Sequence, residues 1–410
     1  MTHLAYLKRH EAPEIFNQWV ASSAISATIR RKVFLDVGFR TIYPNLFVIL
    51  VAPTGKRKSA AIDQGEELLK LAQCAPIFAN KATPEGLLAD LQDSMKWSKG
   101  EGKKSLLQGA ETFIIADEFT TFVGNKALES GLLPILTNIY DCKNDWKYKT
   151  RTQTYIKLYN IWIGMLAATT PEMMHQSIPR EIVGGGFSSR CNFVCQMSYE
   201  RKKPVWKLTK EEQKLRFNLV YDLKTIAKIK GQMQMTKGVR DFYESWYMKD
   251  KTEESLDPMF GGYVERKPHQ AIRLAMIFSI AESDNLVIEM HHLEAAIAAL
   301  DEIEYYMPIA FQFLGSPDAG TASYVLSAIK KAGGPIMHSD LLRRVYRSVG
   351  SADRLRQIVE DLIAMGKITV ETRGGFWYEF VETNKEKVEE KEEQQKRRKR
   401  SKRGRDMRRG

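Results

Sequence analysis

The segment that most constrains this chain is TIYPNLFVILVAPTGKRKSAAI, residues 41–62. In it an apolar run ends in a Gly-containing turn and opens directly into a helical pattern. A strand with no polar face belongs inside a parallel sheet covered on both sides. The turn is Ala52-Pro53-Thr54-Gly55-Lys56-Arg57-Lys58-Ser59. Binding a phosphate takes inward-pointing N–H groups at a helix N-terminus, a lysine and, for Mg²⁺, a hydroxyl. Lys58 and Ser59 supply the last two, and Gly55 supplies turn freedom. The usual G-x-x-x-x-G-K-[ST] spacing has Gly where this chain has Ala52 and Arg57. Arg57 beside the phosphates either restricts the loop or adds a positive charge to it. The alternative is a plain polar turn.

Some 60 residues later, in TFIIADEF, the apolar run Phe113–Ala116 ends in Asp117-Glu118. A strand that delivers two carboxylates at its end suits nucleotide hydrolysis: Asp117 supports the metal shell and Glu118 polarises the attacking water. The buried run YNIWIGMLAATTP then places Thr169 and Thr170 at another strand end. Thr170 either senses the terminal phosphate or caps the next helix, because Thr-Thr-Pro-Glu is also a helix start. The loop GGGFSSR ends in Arg190, a candidate for an arginine supplied across a subunit boundary, with Arg180 as its rival and a surface salt bridge as the other reading.

After Pro204 the pattern turns helical. A helix over 209–230 opens with the capping pair Thr209 and Glu212, and two amphipathic helices span 266–282 and 291–308. GSPDAG at 315–320 reads as a linker. Residues 321–380 show three helices followed by a hairpin, the order of a winged helix, with Arg354 and Arg356 on its third helix and Arg373 at the wing tip. The expected domains are an N-terminal helical segment (1–34), an ATPase core (35–203), a helical lid (204–314), a winged helix (315–381) and a disordered basic tail (382–410).

Charge is concentrated in that tail. Residues 396–410 hold ten Lys or Arg, among them Lys396, Arg397, Arg398, Lys399 and Arg400, against a single Asp. They account for nine of the chain's twelve net positive charges. Such a block suits either phosphate contact or simple solubilisation. No apolar stretch is long enough to cross a membrane, and there is no signal-peptide pattern. The four cysteines lack C-x-x-C spacing, so neither a disulfide framework nor a zinc site is expected and a reducing, cytoplasmic setting fits. Trp146, Tyr148 and Tyr155 alternate with Lys143, Lys147, Lys149, Arg151 and Lys157, which fits either a pore hairpin tracking single-stranded bases or an ordinary half-buried hairpin. His291 and His292 open a helix without partner ligands, so a metal there is not expected.

The order of loop, Asp-Glu, strand-end Thr, Gly-rich loop with Arg and helical lid resembles the AAA+/RecA-like ATPases. More narrowly, IYPNLFVILVAPTGKRKS, IIADEF and GGGFSSR are similar to an uncharacterised family of phage and mobile-element proteins associated with helicases and primases. The similarity covers roughly residues 10 to 310. The resemblance implies an α/β fold, a P-loop NTPase with a parallel sheet, helical lid and C-terminal winged helix. It implies ATP and Mg²⁺ as cofactors, held by residues 52–59 and Asp117, with Arg273 or Arg266 as a second sensor touching the nucleotide. The expected activity is an ATP-dependent, helicase-like DNA motor. Its partners would be single-stranded or forked DNA, further copies in a ring, and primase or other replication proteins. The alternatives are an ATP-switched initiator or helicase loader, and a DNA-binding adaptor that does not hydrolyse.

Overall fold

The computed structural model describes residues 2–78, 83–100, 103–124, 131–149, 155–171, 173–174, 185–196, 207–249, 260–311 and 319–381. The chain divides into two compact units, Met1–Gly315 and Ser316–Gly410.

The first unit is built on five parallel strands: β1 (Phe47–Val51), β2 (Ile77–Phe78), β3 (Glu111–Ala116), β4 (Trp162–Thr169) and β5 (Cys191–Cys195). Their order across the sheet is β5-β1-β4-β3-β2. Register runs from Met165↔Phe47 to Thr169↔Val51 on one side of β1 and from Cys191↔Phe47 to Cys195↔Val51 on the other. The residues of β1, β3, β4 and β5 are buried throughout, as their unbroken apolar runs require.

Alternation sends Val48, Leu50, Phe113, Leu166 and Val194 to one face and Ile49, Val51, Ile114, Met165 and Phe193 to the other. Helices Glu14–Ile29, Lys58–Ala72, Lys210–Ile226, Lys267–Glu282 and Met290–Phe311 pack on the first face. Helices Pro84–Asp93, Phe119–Val123 and Leu132–Ile139 cover the second.

The helices expected as a separate lid over 204–314 therefore belong to the layer beneath the sheet. Ile272, Ala275, Met276 and Leu300 share one cluster with Phe16, Val20 and Leu50. The N-terminal segment is likewise part of the core, and residues 33–34, expected as the end of the helical segment, lie in a strand Val33–Asp36 paired antiparallel with Thr41–Ile42. Helix 14–29 is buried over most of its circumference, which its run of Ala and Ser permits: Gly65 of helix 58–72 lies so close that a Cβ there would stand 2.4 Å from Val20 Cγ1.

Two hairpins complete this unit. Lys96–Gly100 with Lys103–Gln108 was not foreseen. Asp145–Tyr148 pairs with Ile156–Tyr159 where a polar strand pair was expected. In the latter Trp146 and Tyr148 stack at 5.6 Å and pack partly buried on the core, while Ile156 and Leu158 are buried, so the half-buried reading is the one observed. Arg151 lies outside the described residues.

The second unit has helices Ala319–Ala332, His338–Val349 and Ala352–Ala364 and a three-stranded antiparallel sheet of Ile336–Met337, Ile368–Thr372 and Phe376–Phe380. Val325, Leu341, Val345, Leu355, Ile358 and Tyr378 form its own core. The two-residue strand 336–337 is hidden in the sequence behind Gly333-Gly334-Pro335. The tail cations Lys396, Arg397, Arg398, Lys399 and Arg400 lie outside the described residues.

Candidate functional site

The carboxyl edge of the sheet gathers the chemistry. β1 ends at Val51, and Ala52–Arg57 turn into helix 58–72 with Gly55 at φ 82° and Arg57 at φ 60°, ψ 29°. The helix has no side-chain cap at its N-terminus, which leaves the first-turn N–H groups to other acceptors. Lys58 is buried, and its Nζ donates to the carbonyls of Ala52 (2.6 Å) and Pro53 (3.2 Å), so its ammonium lies against the loop's own backbone. Ser59 is exposed at the helix start. Arg57 points away from the loop: its guanidinium pairs with Glu11 of the N-terminal segment at 2.6 Å.

Two strand ends stand beside this loop. β4 is the direct neighbour of β1, and Thr169 O accepts from Ala52 N–H across the junction. β3 lies next to β4 and delivers Asp117 and Glu118. The Asp117 carboxyl is raised above its ordinary value by partial desolvation and then by Asp63 and Glu66 of helix 58–72. A carboxylate crowded by two others is a place where a cation lowers the energy.

The chain after β1 packs on the first face, through helix 58–72, while Met174, after β4, packs on the second. Adjacent strands whose continuations leave on opposite faces open a crevice at their carboxyl ends. Ala52–Ser59 sit at that crevice.

Other expected residues have different duties. Glu118 caps helix 119–123, accepting from Thr120 N–H (3.3 Å) and Thr120 Oγ1 (2.9 Å). The Thr170 hydroxyl accepts from Met173 N–H at 3.1 Å, so of the two readings of Thr170 helix capping is the one observed.

Arg190 and Arg273 require correction. Arg190 precedes β5, at the amino edge, and the five residues of β5 put it about 16 Å from the carboxyl edge. It is buried, with NH1 donating to Gly186 O (2.5 Å) and NH2 paired with Asp141 (3.1 Å). Its guanidinium is engaged within its own chain. Arg273 is also buried at the amino edge, donating to Tyr43 O (2.7 Å) and the Asn45 side chain and lying over the Tyr140 ring. Tyr43 and Asn45 enter β1 from below, so Arg273 cannot reach the loop that leaves it above. Arg266, the alternative sensor, belongs to the same amino-edge group, beside Arg190 and Asp141. Arg180 lies outside the described residues.

Sequence reasoning left His291 and His292 without a partner. The fold brings one: both rings meet Glu282 Oε2, at 2.7 and 2.9 Å. Among the described residues this is the one trio with ligand atoms close enough for a metal. His292 Nδ1 accepts from Glu289 N–H, however, so its Nε2 carries the proton and donates to Glu282, offering no lone pair. The trio fastens the start of helix 290–311.

In the second unit Arg354 and Arg356 stand exposed in the first turns of helix 352–364, and Arg373 at the hairpin turn pairs with Glu371 at 3.1 Å. Arg343, Arg344 and Arg347 on helix 338–349 are also exposed, cations that the sequence reading passed over.

No protein-family model matches this chain, and no curated protein is significantly similar to it. Among the described residues no helix is long and apolar enough to cross a membrane.

Proposed function

We propose that this chain is a P-loop ATPase that acts on DNA, binding ATP with Mg²⁺ at the carboxyl edge of its sheet. The observation that carries the reading is the convergence there of loop 52–59 on an uncapped helix start, Asp117-Glu118 on β3, and Thr169 on the strand between them. Lys58 and the backbone N–H groups of the first helical turn would hold the phosphates, and Ser59 and Asp117 the metal. The ion would neutralise charge on the phosphates. Glu118 would orient the attacking water once released from Thr120.

The second unit supports DNA as the partner. Its order of helix, strand, two helices and hairpin is that of a winged helix, and Arg354 and Arg356 occupy the helix end that such modules bring to the major groove. These residues suit phosphate contact and imply no base preference. No oligomeric state is part of this reading.

ATP turnover by the full chain, with and without single-stranded DNA, tests the proposal. Lys58→Ala is expected to lose nucleotide binding and turnover together. Glu118→Gln keeps a cap for Thr120 and retains ATP, with turnover down about 10²-fold or more. No hydrolysis by the unaltered chain in any condition overturns the ATPase. One observation favours a second reading, a nucleotide-switched loader: Glu118 is tied into a helix cap, which makes hydrolysis wait on a rearrangement. DNA binding that depends on ATP, without strand displacement, is its signature.

A further inference from the structure

The amino edge of the sheet carries an arrangement that the nucleotide site does not use. Four guanidiniums, those of Arg40, Arg190, Arg266 and Arg273, surround a single carboxylate, Asp141. Arg40 pairs with it at 2.7 Å and Arg190 at 3.1 Å. Arg190 and Arg273 are buried behind, whereas Arg40 and Arg266 reach solvent. Buried or half-buried cations in excess of their counterions favour any anion that reaches them.

Beside this group lies a cavity of about 440 Å³ whose walls include Val37, Tyr243, Tyr247, Met248, Glu244 and His269. His269 joins the two features, since its Nε2 stands 3.5 Å from Arg40 NH1. Burial and the arginines Arg40, Arg273 and Arg266 push its pKa down to about 4, so at neutral pH it adds no charge. With Asp141, the Glu244 wall and Asp36 of the hairpin counted against the four arginines, the balance is still positive.

The surface around the cavity is aromatic and open. Tyr243 and Tyr247 lie 6.0 Å apart at 35°, and Tyr247 is 49% exposed. The hairpin of Val33–Asp36 and Thr41–Ile42 turns through Val37–Arg40, closed by Val37 N–H on Arg40 O. At its tip stands Phe39, 113% exposed, as open as a phenylalanine can be, next in sequence to Arg40. A phenylalanine held fully in water on a tight turn gives nothing to the fold. Aromatic rings beside cations in an apolar cleft are the composition that holds unpaired nucleotides, with bases on the rings and phosphates on the cations.

We propose that hairpin tip 37–40, the adjoining cavity and the arginine group form a binding site for single-stranded DNA. Bases stack on Phe39 and Tyr247, and phosphates are held by Arg40 and Arg266. The identity of the polymer rests on the DNA reading above; the site rests on this geometry and needs no ATP.

The test is anisotropy of a dye-labelled oligo-dT titrated with the full chain at low salt without nucleotide. Phe39→Ala and Tyr247→Ala are each expected to weaken binding by about tenfold, and Arg40→Gln to weaken it and lower the salt dependence by about one ion. Phe39→Ala removes an exposed ring, so its thermal melt should match the unaltered chain and separates lost binding from lost fold. A triple Ala variant of Arg354, Arg356 and Arg373 is the comparison. If that variant alone loses oligo-dT, and Phe39→Ala and Tyr247→Ala bind unchanged, this site is overturned while the DNA reading stands. If the unaltered chain does not bind oligo-dT, this site is overturned, while the DNA reading is decided separately by binding to a duplex. If Tyr247→Ala leaves DNA binding intact but abolishes concentration-dependent self-association, the surface is an interface with a second copy and the proposal is overturned.

Discussion

Arg57 shows how a single position can satisfy two demands that pull apart. The turn into helix 58–72 needs a left-handed residue there, which costs an L-amino acid with a Cβ about 1 kcal/mol, and the side chain recovers part of this through Glu11. Arg57→Gly is therefore expected to be at least as stable as the unaltered chain in urea unfolding. Arg57→Ala keeps the strain without the ion pair and should be less stable by about 0.5–1 kcal/mol. A second residue, Glu212, is held down to about 2 by Arg9 and then by the cap it forms with Thr209. Its folded pKa lies below the ordinary carboxylate value, so its contribution is complete above about pH 5 and fades as pH falls toward 2. Melting temperatures between pH 6 and 3 should fall less steeply in Glu212→Gln. The positions of Lys58, Ser59, Asp117 and Glu118 beyond strand ends were legible from sequence because each group is contiguous and placed by one strand. Arg190 and Arg273 were not: a motif shows that an arginine is present, not which edge of the sheet it faces.

At the scale of elements, fully apolar strands and capped helices were the readable ones. Thr209 with Glu212 forms a reciprocal box, as their spacing implies. Strand 33–36 was missed because it is short, and the sequence alone does not show that residues 41–42 fold back on it. Close packing of helix 14–29 on helix 58–72 sets the base on which loop 52–57 stands. Gly65→Ala drives a Cβ into Val20 and should cost about 1–3 kcal/mol by thermal or chemical unfolding. Val20→Ala in the same chain should restore much of that loss, and additive losses would show that the two helices are not in the tight contact described.

For the whole molecule, the boundary at Gly315 separates two hydrophobic cores. A fragment of residues 316–381 is expected to unfold cooperatively by itself, with a circular-dichroism melt matching one transition of the full chain. A fragment without a cooperative transition would show that its core depends on the first unit. The helices of 204–314 give the contrary case. Their amphipathic pattern is the same whether they form a lid or line a sheet, and only the burial of Ile272, Ala275 and Leu300 among the residues beneath β1 decides it.

By itself the sequence determined the alternation of buried strands and helices, the loop that follows β1, the carboxylates that end β3 and the separateness of the C-terminal unit. These depend on local periodicity and turn chemistry, which act over a few residues. Tertiary structure alone decided the strand order that sets β4 between the loop and the acids, and the edge on which each arginine lies. It also set the partners of Glu118, Thr170 and His292, and the meeting of Arg40, Asp141 and His269. Those depend on which distant segments pack together, and that is fixed by the burial of whole faces, not by any neighbouring residue.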